Sequence, residues 1–359
     1  MTRWFSGCFG FALAVAYCPV IIGGTATPRW LLIAAVVPIA LIVAEVAGRS
    51  IEITWAHVIG AMFLGWAALS LLWSANHYDS VDALWRLALL AGCFAIGSVI
   101  DDARPLLVGM MFGLGVSSGL VLVEAGTGWA LPAATPMAGL FGNRNYLGEA
   151  TALVFIGLIS IEVQPFLHRL TWWRFWVLLG CLGPALAFTH ARGALVAIGV
   201  AIFGMLWHYR LRWVAILLAV LAVEIAGVVF WIWPNYGSIV DRFNIWRDAV
   251  HGLSLFGSGF GTFGATIAAH AIHIDPAAVR DTHAHNDLLE VAYELGLPGA
   301  LLALAFVVSV LRSDRMERFV FLALIVEGMF AFPSFLPLTG ALGLFAAGVA
   351  SRGLKKVQL

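Results

Sequence analysis

Charge is what this sequence has least of. Asp, Glu, Lys and Arg supply 11% of its 359 residues, whereas a soluble domain carries about a quarter. Hydrophobic residues make up 62% and mean hydropathy is +0.95, which excludes an ordinary globular fold. Bilayer spans of about 20 residues are the natural unit instead. The formal net charge is zero, which removes the basic surface that a nucleic-acid partner needs. Lysine is all but missing: Lys355 and Lys356, both in the tail, are the only two, and every other cation is arginine. Cysteine is sparse as well. Cys8, Cys18, Cys93 and Cys181 sit in apolar runs at spacings that fit neither a metal site nor a disulfide framework, and they read as small apolar fillers. Internal repeats and low-complexity linkers are absent. The N-terminal apolar run has no clear small-residue cleavage site and many spans follow it, so it reads as a first helix rather than a signal peptide.

Apolar segments recur near 5–24, 30–47, 55–73, 83–100, 105–124, 145–163, 172–189, 193–207, 213–233, 287–311, 319–333 and 336–350. The expectation is an all-α integral membrane protein, residues 1–359 forming one polytopic bundle of about twelve transmembrane helices. The pairs 172–189 with 193–207 and 319–333 with 336–350 are so closely spaced that each also reads as one kinked or re-entrant element. Orientation follows the distribution of arginine and lysine between spans. With the N-terminus in the cytoplasm, thirteen cations lie inside, among them Arg49, Arg210, Arg212, Arg312, Arg315, Arg318, Arg352, Lys355 and Lys356. Seven lie outside: Arg29, Arg86, Arg144, Arg192, Arg242, Arg247 and Arg280. Both termini are therefore expected on the cytoplasmic side of the membrane. Two long connections then lie outside, 125–144 and the large loop 234–286 between the ninth and tenth spans, and both would be periplasmic in a bacterial inner membrane. A connection of about fifty residues is uncommon without a task of its own, which places the working face there.

Outward arginines run against insertion bias and need a reason. Arg29 and Arg86 read as interfacial arginines that reach phospholipid head groups. Arg144 sits in Phe141-Gly-Asn143-Arg-Asn145 at the mouth of the sixth span, Arg192 in the turn Thr189-His-Ala-Arg-Gly193, and Arg242 and Arg247 in Asp241-Arg-Phe-Asn-Ile-Trp246-Arg-Asp248. A guanidinium fork suits phosphate oxygens, and two forks can share a diphosphate. An anionic head group is the substrate class these residues fit, and they would also stabilise charge on a leaving diphosphate. Trp246 suits either an interfacial belt or stacking on a sugar ring.

The stretch Asp281-Thr-His283-Ala-His285-Asn286-Asp287 opens polar and runs straight into the tenth span. Asn286, Glu290, Tyr293 and Glu294 recur at helical spacing, giving the helix mouth one polar face. Three readings stand side by side: His283, His285 and Asp287 as metal ligands, Asn286 or Asp287 as a helix cap, and His285 as general base or hydrogen-bond donor. Glu45, Glu124, Glu224 and Glu327, scattered one to a span, keep a proton-coupled transporter open, and an assembly protein is a third class.

His285-Asn286, nine residues and then Gly296-Leu-Pro-Gly299 resembles the signature of the O-antigen ligase and polymerase (Wzy-like) family. The family often continues Thr-Trp where this chain has Ala300-Leu301. Arg242 with Trp246, the glycine-rich Phe256-Gly-Ser-Gly-Phe-Gly-Thr-Phe263, the Thr189–Gly193 turn and the Asn143 loop are also similar to family segments, so the resemblance spans roughly 140–300. It implies a GT-C-type membrane glycosyltransferase that inverts at the anomeric carbon and needs neither metal nor nucleotide cofactor. The absence of an Asp-x-Asp pair agrees with this. The implied donor is a glycan on undecaprenyl diphosphate, and the acceptor is lipid A–core for a ligase or another lipid-linked glycan for a polymerase. Arg192 and Arg242 would hold the diphosphate, and His285 would activate or orient the acceptor hydroxyl. Arg144, Arg247, Asn286, His283, Trp246 and Asn143 would line the substrate.

Overall fold

A computed structural model describes residues 2–16, 27–166, 172–218, 236–275 and 283–356. Part of the first expected span (17–24), most of the ninth (219–233), and Cys18, Glu224, Trp231, Trp233, Arg280 and Asp281 lie outside the described residues. The helices are α1 (Thr2–Val15), α2 (Thr27–Val46), α3 (Trp55–Leu69, continued by a 3-10 turn Ser70–Trp73), α4 (His77–Val99), α5 (Arg104–Thr127), α6 (Arg144–Phe166), α7 (Trp172–Phe188), α8 (Arg192–His208), α9 (Tyr236–His251), α10 (Asp287–Leu311), α11 (Arg318–Gly328) and α12 (Pro337–Ser351). Residues 212–218 are helical too. Among the described residues there is no strand, only an isolated bridge between Thr54 and Lys356. Among the described residues five helices are long and apolar enough to cross a bilayer: Pro28–Val46, Trp55–Trp73, His77–Val99, Arg104–Thr127 and Asp287–Leu311. Trp4–Val15, Trp176–Phe188, Arg192–His208 and Pro337–Ser351 are shorter apolar helices. The architecture is that of a helical membrane protein.

Both closely spaced pairs resolve into separate helices. His190 takes a left-handed backbone (φ 51°) between α7 and α8, while Gly328 ends α11 and a 3-10 turn at Pro333–Phe335 precedes α12. α4 starts at His77, earlier than hydropathy suggests, because the Asn76 side chain caps it by accepting from Tyr78 N–H and Asp79 N–H. The 234–286 connection is built around α9, which was not expected from the sequence.

Lipid tails are as apolar as leucine, so membrane helices associate through close packing at small residues. α1 and α5 meet this way: a Cβ added at Gly109 would lie 2.0 Å from Gly7 O, and one at Gly10 would lie 2.3 Å from Leu106 O. α4 and α12 repeat it, with Gly97 against Phe345 O (2.1 Å) and Gly348 against Phe94 O (2.0 Å). α12, apolar around its circumference, is buried along almost its whole length.

The two ends of the bundle differ in chemistry. At one end Asp101 pairs with Arg49 (2.5 Å) and Arg352 (3.1 Å), Lys356 with Glu52 (2.6 Å), and Arg318 meets His208 Nδ1 (3.1 Å). The hydrogen bonds from Arg49 and Arg352 hold the Asp101 carboxyl below its ordinary value. At the other end Arg29 clamps the end of α1 to the turn before α6. It donates to Leu13 O (3.0 Å) and Leu140 O (3.1 Å), and its guanidinium lies 3.9 Å from the Phe141 ring centroid. This corrects the expectation for Arg29. At 2% exposure it does not reach lipid head groups, because three helix-end carbonyls need its donors more. Arg86 turns along its own helix to Asp82 (2.5 Å).

Candidate functional site

The polar run before α10 folds back on its own helix. Asn286 is the N-cap, its Oδ1 accepting Leu289 N–H (3.0 Å). One turn on, Glu290 is buried and reaches back, Oε2 accepting Ala284 N–H (2.7 Å) and Oε1 accepting His283 Nδ1–H (2.7 Å). That clamp forces a tight bend, and His285 takes a left-handed backbone (φ 53°). Such strain on a non-glycine residue persists only where surrounding contacts hold it, and it clusters at functional sites. The His283 ring stacks on Phe332 (centroids 4.3 Å apart) and lies 4.8 Å from Phe335, while His285 meets the edge of Phe332 at 5.1 Å. Phe332 also meets Tyr146 of α6 at 5.8 Å.

The glycine-rich loop docks onto α10 at its kink. Gly296 has φ 65° and ψ −164°, a conformation open only to glycine. A Cβ there would lie 2.1 Å from Leu255 O, and one at Gly257 would lie 2.1 Å from Glu294 O. Bare backbones are thus pressed together, tied by Leu297 N–H to Leu255 O (3.0 Å) and Gly259 N–H to Glu294 O (2.9 Å). The buried Glu294 carboxylate completes the joint, accepting Gly261 N–H and Phe263 N–H at 2.8 Å each.

α9 is tethered to the same unit twice. Trp246 Nε1–H donates to Ala284 O (2.9 Å), in the middle of the histidine bend. Asp248 accepts the N–H groups of Ile272, His273 and Ile274 and the Nδ1–H of His273 (2.6 Å). Burial pushes the Asp248 carboxyl up, but the His273 side chain and the three backbone donors outweigh it and hold the group at about 2. Arg242 lies one helical turn before Trp246, on the same face. It is half-buried; burial pushes its guanidinium below the ordinary value, and the charge of Glu149 of α6 opposes that shift.

The mouth of α6 and the α7–α8 turn form the remaining wall. Asn143 Oδ1 accepts Asn145 N–H (2.8 Å), and Arg144 N–H donates to Thr135 Oγ1 (2.8 Å), which fixes the start of α6. The Thr189–Ala191 turn rests on Gly148, where a Cβ would lie 2.3 Å from Ala191 Cβ. Arg192, first residue of α8, projects from that turn and is exposed.

The structure therefore joins His283, His285, Asn286 and Trp246 in one bonded unit, and links Arg242 to α6 through Glu149. Asn143, Arg144 and Arg192 border α6 at the same end. Arg247 is exposed and, five residues on, points off the Arg242 face. Trp246 and Asn286 have structural work: one indole N–H is spent on a carbonyl and one side chain on a cap. Among the described residues no group of three His, Cys, Asp or Glu is arranged to hold a metal ion. Sequence reasoning missed Glu149, Phe332 and the clamping roles of Glu290 and Glu294. For Glu149 the available signal was an acid five residues after Arg144 inside an apolar span.

Residues 175–304 match the family model for O-antigen ligase. The matched stretch runs from α7 into α10 and contains Arg192, Arg242, Arg247, His283, His285 and the Gly296–Gly299 pair, whereas Asn143 and Arg144 precede it. It bears out the resemblance read from the His-Asn spacing and supports glycan transfer of the O-antigen ligase type. Among curated proteins no match is found.

Proposed function

We propose that this O-antigen-ligase-type protein is an inverting glycosyltransferase that moves a glycan from undecaprenyl diphosphate to lipid A–core at the periplasmic face of a bacterial inner membrane. One observation carries the reading: the strained His283–His285 bend is bonded through Trp246 to the helix that carries Arg242 one turn earlier. Arg242 and Arg192, with Arg144, hold the diphosphate and offset the charge that develops on it as it leaves. His285 orients the acceptor hydroxyl for attack on the anomeric carbon from the face opposite the diphosphate. A single displacement of that kind inverts the configuration. His283 and Asn286 hold the bend in place, and Arg247 and Trp246 lie on the approach.

Orientation rests on the contrast between the two ends. The arginine-rich end carrying Arg49, Arg318 and Arg352 is cytoplasmic by the positive-inside rule, together with both termini. That leaves 125–144 and 234–286 in the periplasm, and about twelve spans with a GT-C-type arrangement complete the bundle. The reaction uses no cofactor and no metal, in keeping with a sequence that has no Asp-x-Asp pair. The intact His-Asn, nine residues, Gly-x-x-Gly spacing favours a ligase over an O-antigen or exopolysaccharide polymerase of the same family.

The test is reconstitution. Protein in lipid nanodiscs is given lipid-linked glycan and lipid A–core, with and without a chelator, and the products are separated by size. Glycan on lipid A–core, unaffected by the chelator, supports the reading. Longer lipid-linked chains with untouched core would replace it with the polymerase, and no transfer to either acceptor would overturn it.

A further inference from the structure

Three carboxylates that the sequence scatters come together where α6 and α10 pack against α11. Glu149 comes from α6, Asp287 from the first turn of α10 and Glu327 from the last turn of α11. Glu327 is fully buried, and neither of its oxygens accepts a hydrogen bond from the described residues. Glu149 Oε2 and Asp287 Oδ1 are buried in the same state, while Asp287 Oδ2 accepts Ser334 N–H (3.3 Å). Glu149 and Asp287 both act electrostatically on Glu327, and Asp287 acts on Glu149. Gly328 makes room for this: a Cβ there would sit 2.7 Å from Asp287 Oδ2. The charged and titratable groups that act on them electrostatically are Arg242 of α9 on Glu149, and His283 and Glu290 on Asp287. Buried carboxyl oxygens without donors are costly in any interior and more so in a membrane, and they are retained where they hold protons or ions.

We propose that this cluster accepts the proton of the transfer reaction, with Glu149 its receiving member; the inference rests on the reading of Arg242 as the ligand of the diphosphate. As the acceptor oxygen bonds to the anomeric carbon, the carbon–oxygen bond to the diphosphate breaks and its electron pair leaves with the phosphate. The hydroxyl proton passes to Glu149. The diphosphate gains one negative charge as Glu149 loses one, so Arg242, shared between the two beforehand, is left wholly to the leaving group. Asp287 and Glu327 act through Glu149: negative charge on either of them favours the proton on Glu149. The second product, the lipid diphosphate, then departs and the cluster releases its proton to the aqueous face.

The experiment uses the full chain in nanodiscs. Binding of undecaprenyl diphosphate is followed by native mass spectrometry, and turnover by transfer from lipid-linked glycan. Glu149→Gln is expected to bind the lipid diphosphate at least as tightly as wild type, because Arg242 loses its competitor, and to lose about 10²-fold or more in kcat. Glu327→Gln keeps the shape and removes a repelled charge. It is expected to raise the melting temperature and lower kcat about tenfold, a pairing that structural damage does not produce. Glu149→Gln turnover within threefold of wild type, with binding lost in Arg242→Ala, would overturn the proton acceptor and leave the proposed function standing. Undiminished binding in Arg242→Ala would remove the diphosphate reading and this inference with it. A lower melting temperature in Glu327→Gln would contradict the cluster's unpartnered state.

Discussion

Replacing Gly296 with alanine tests how the glycine-rich loop is held to the histidine helix. At φ 65° and ψ −164° the residue occupies a backbone region that side chains do not share, and forcing alanine there costs roughly 1–3 kcal/mol. The new methyl would also sit 2.1 Å from Leu255 O and 2.5 Å from Leu255 C. Both are backbone atoms, so relief requires the 255–263 loop to move as a body. That movement breaks the Leu297 N–H bond to Leu255 O, worth about 1 kcal/mol. The total, on the order of 2–4 kcal/mol, is a roughly thirty- to several-hundred-fold shift from docked to undocked loop at about 1.4 kcal/mol per decade. Limited proteolysis in nanodiscs reads the loop, and transfer from lipid-linked glycan reads the site. Gly65→Ala is the control, since a Cβ there meets nothing within 4 Å. Wild-type protease resistance and transfer in Gly296→Ala would refute the docking argument.

Arg242→Ala is expected to cut transfer by about 10²-fold or more at unchanged membrane abundance, and Arg242→Lys to recover little because an ammonium lacks the planar fork; kinetics in membranes check both. Glu294→Gln keeps one acceptor for Gly261 and Phe263 and turns an amide N–H₂ toward the other donor, so melting should fall by the equivalent of roughly 1–3 kcal/mol. Asp248 is held at about 2 against an ordinary 3.8, so its stabilising contribution is complete at neutral pH and lost as pH falls from 3.8 toward about 2. Proteolysis around 272–274 should rise over that window in wild type, and Asp248→Asn should already be sensitive at neutral pH.

Apolar runs revealed the helices because a bilayer filters for length and hydropathy, and they missed a helix whose sequence is polar. α9 carries Asp241, Arg242, Asn244, Arg247 and Asp248, so its pattern reads as a loop until Trp246 and Asp248 find partners about 25 to 38 residues away. The histidine bend was legible because its spacing to Gly296 and Gly299 is local, and the structure supplies the reason for Gly296. Arg29 was misread because carbonyls at the ends of other elements, not its own neighbours, decide where an arginine points. Glu327 looked isolated for a similar reason. Only the packing of α6, α10 and α11 brings it to Glu149 and Asp287, and no period within one helix encodes that meeting.

The most direct measurement is the surface glycan profile of a strain lacking this gene, complemented with wild type, Arg242→Ala or His285→Ala. The account predicts that long glycan vanishes from lipid A–core and accumulates on its lipid carrier, is restored by wild type and is not restored by Arg242→Ala. A profile unchanged by loss of the gene would contradict glycan transfer as its function and bring the transporter reading forward.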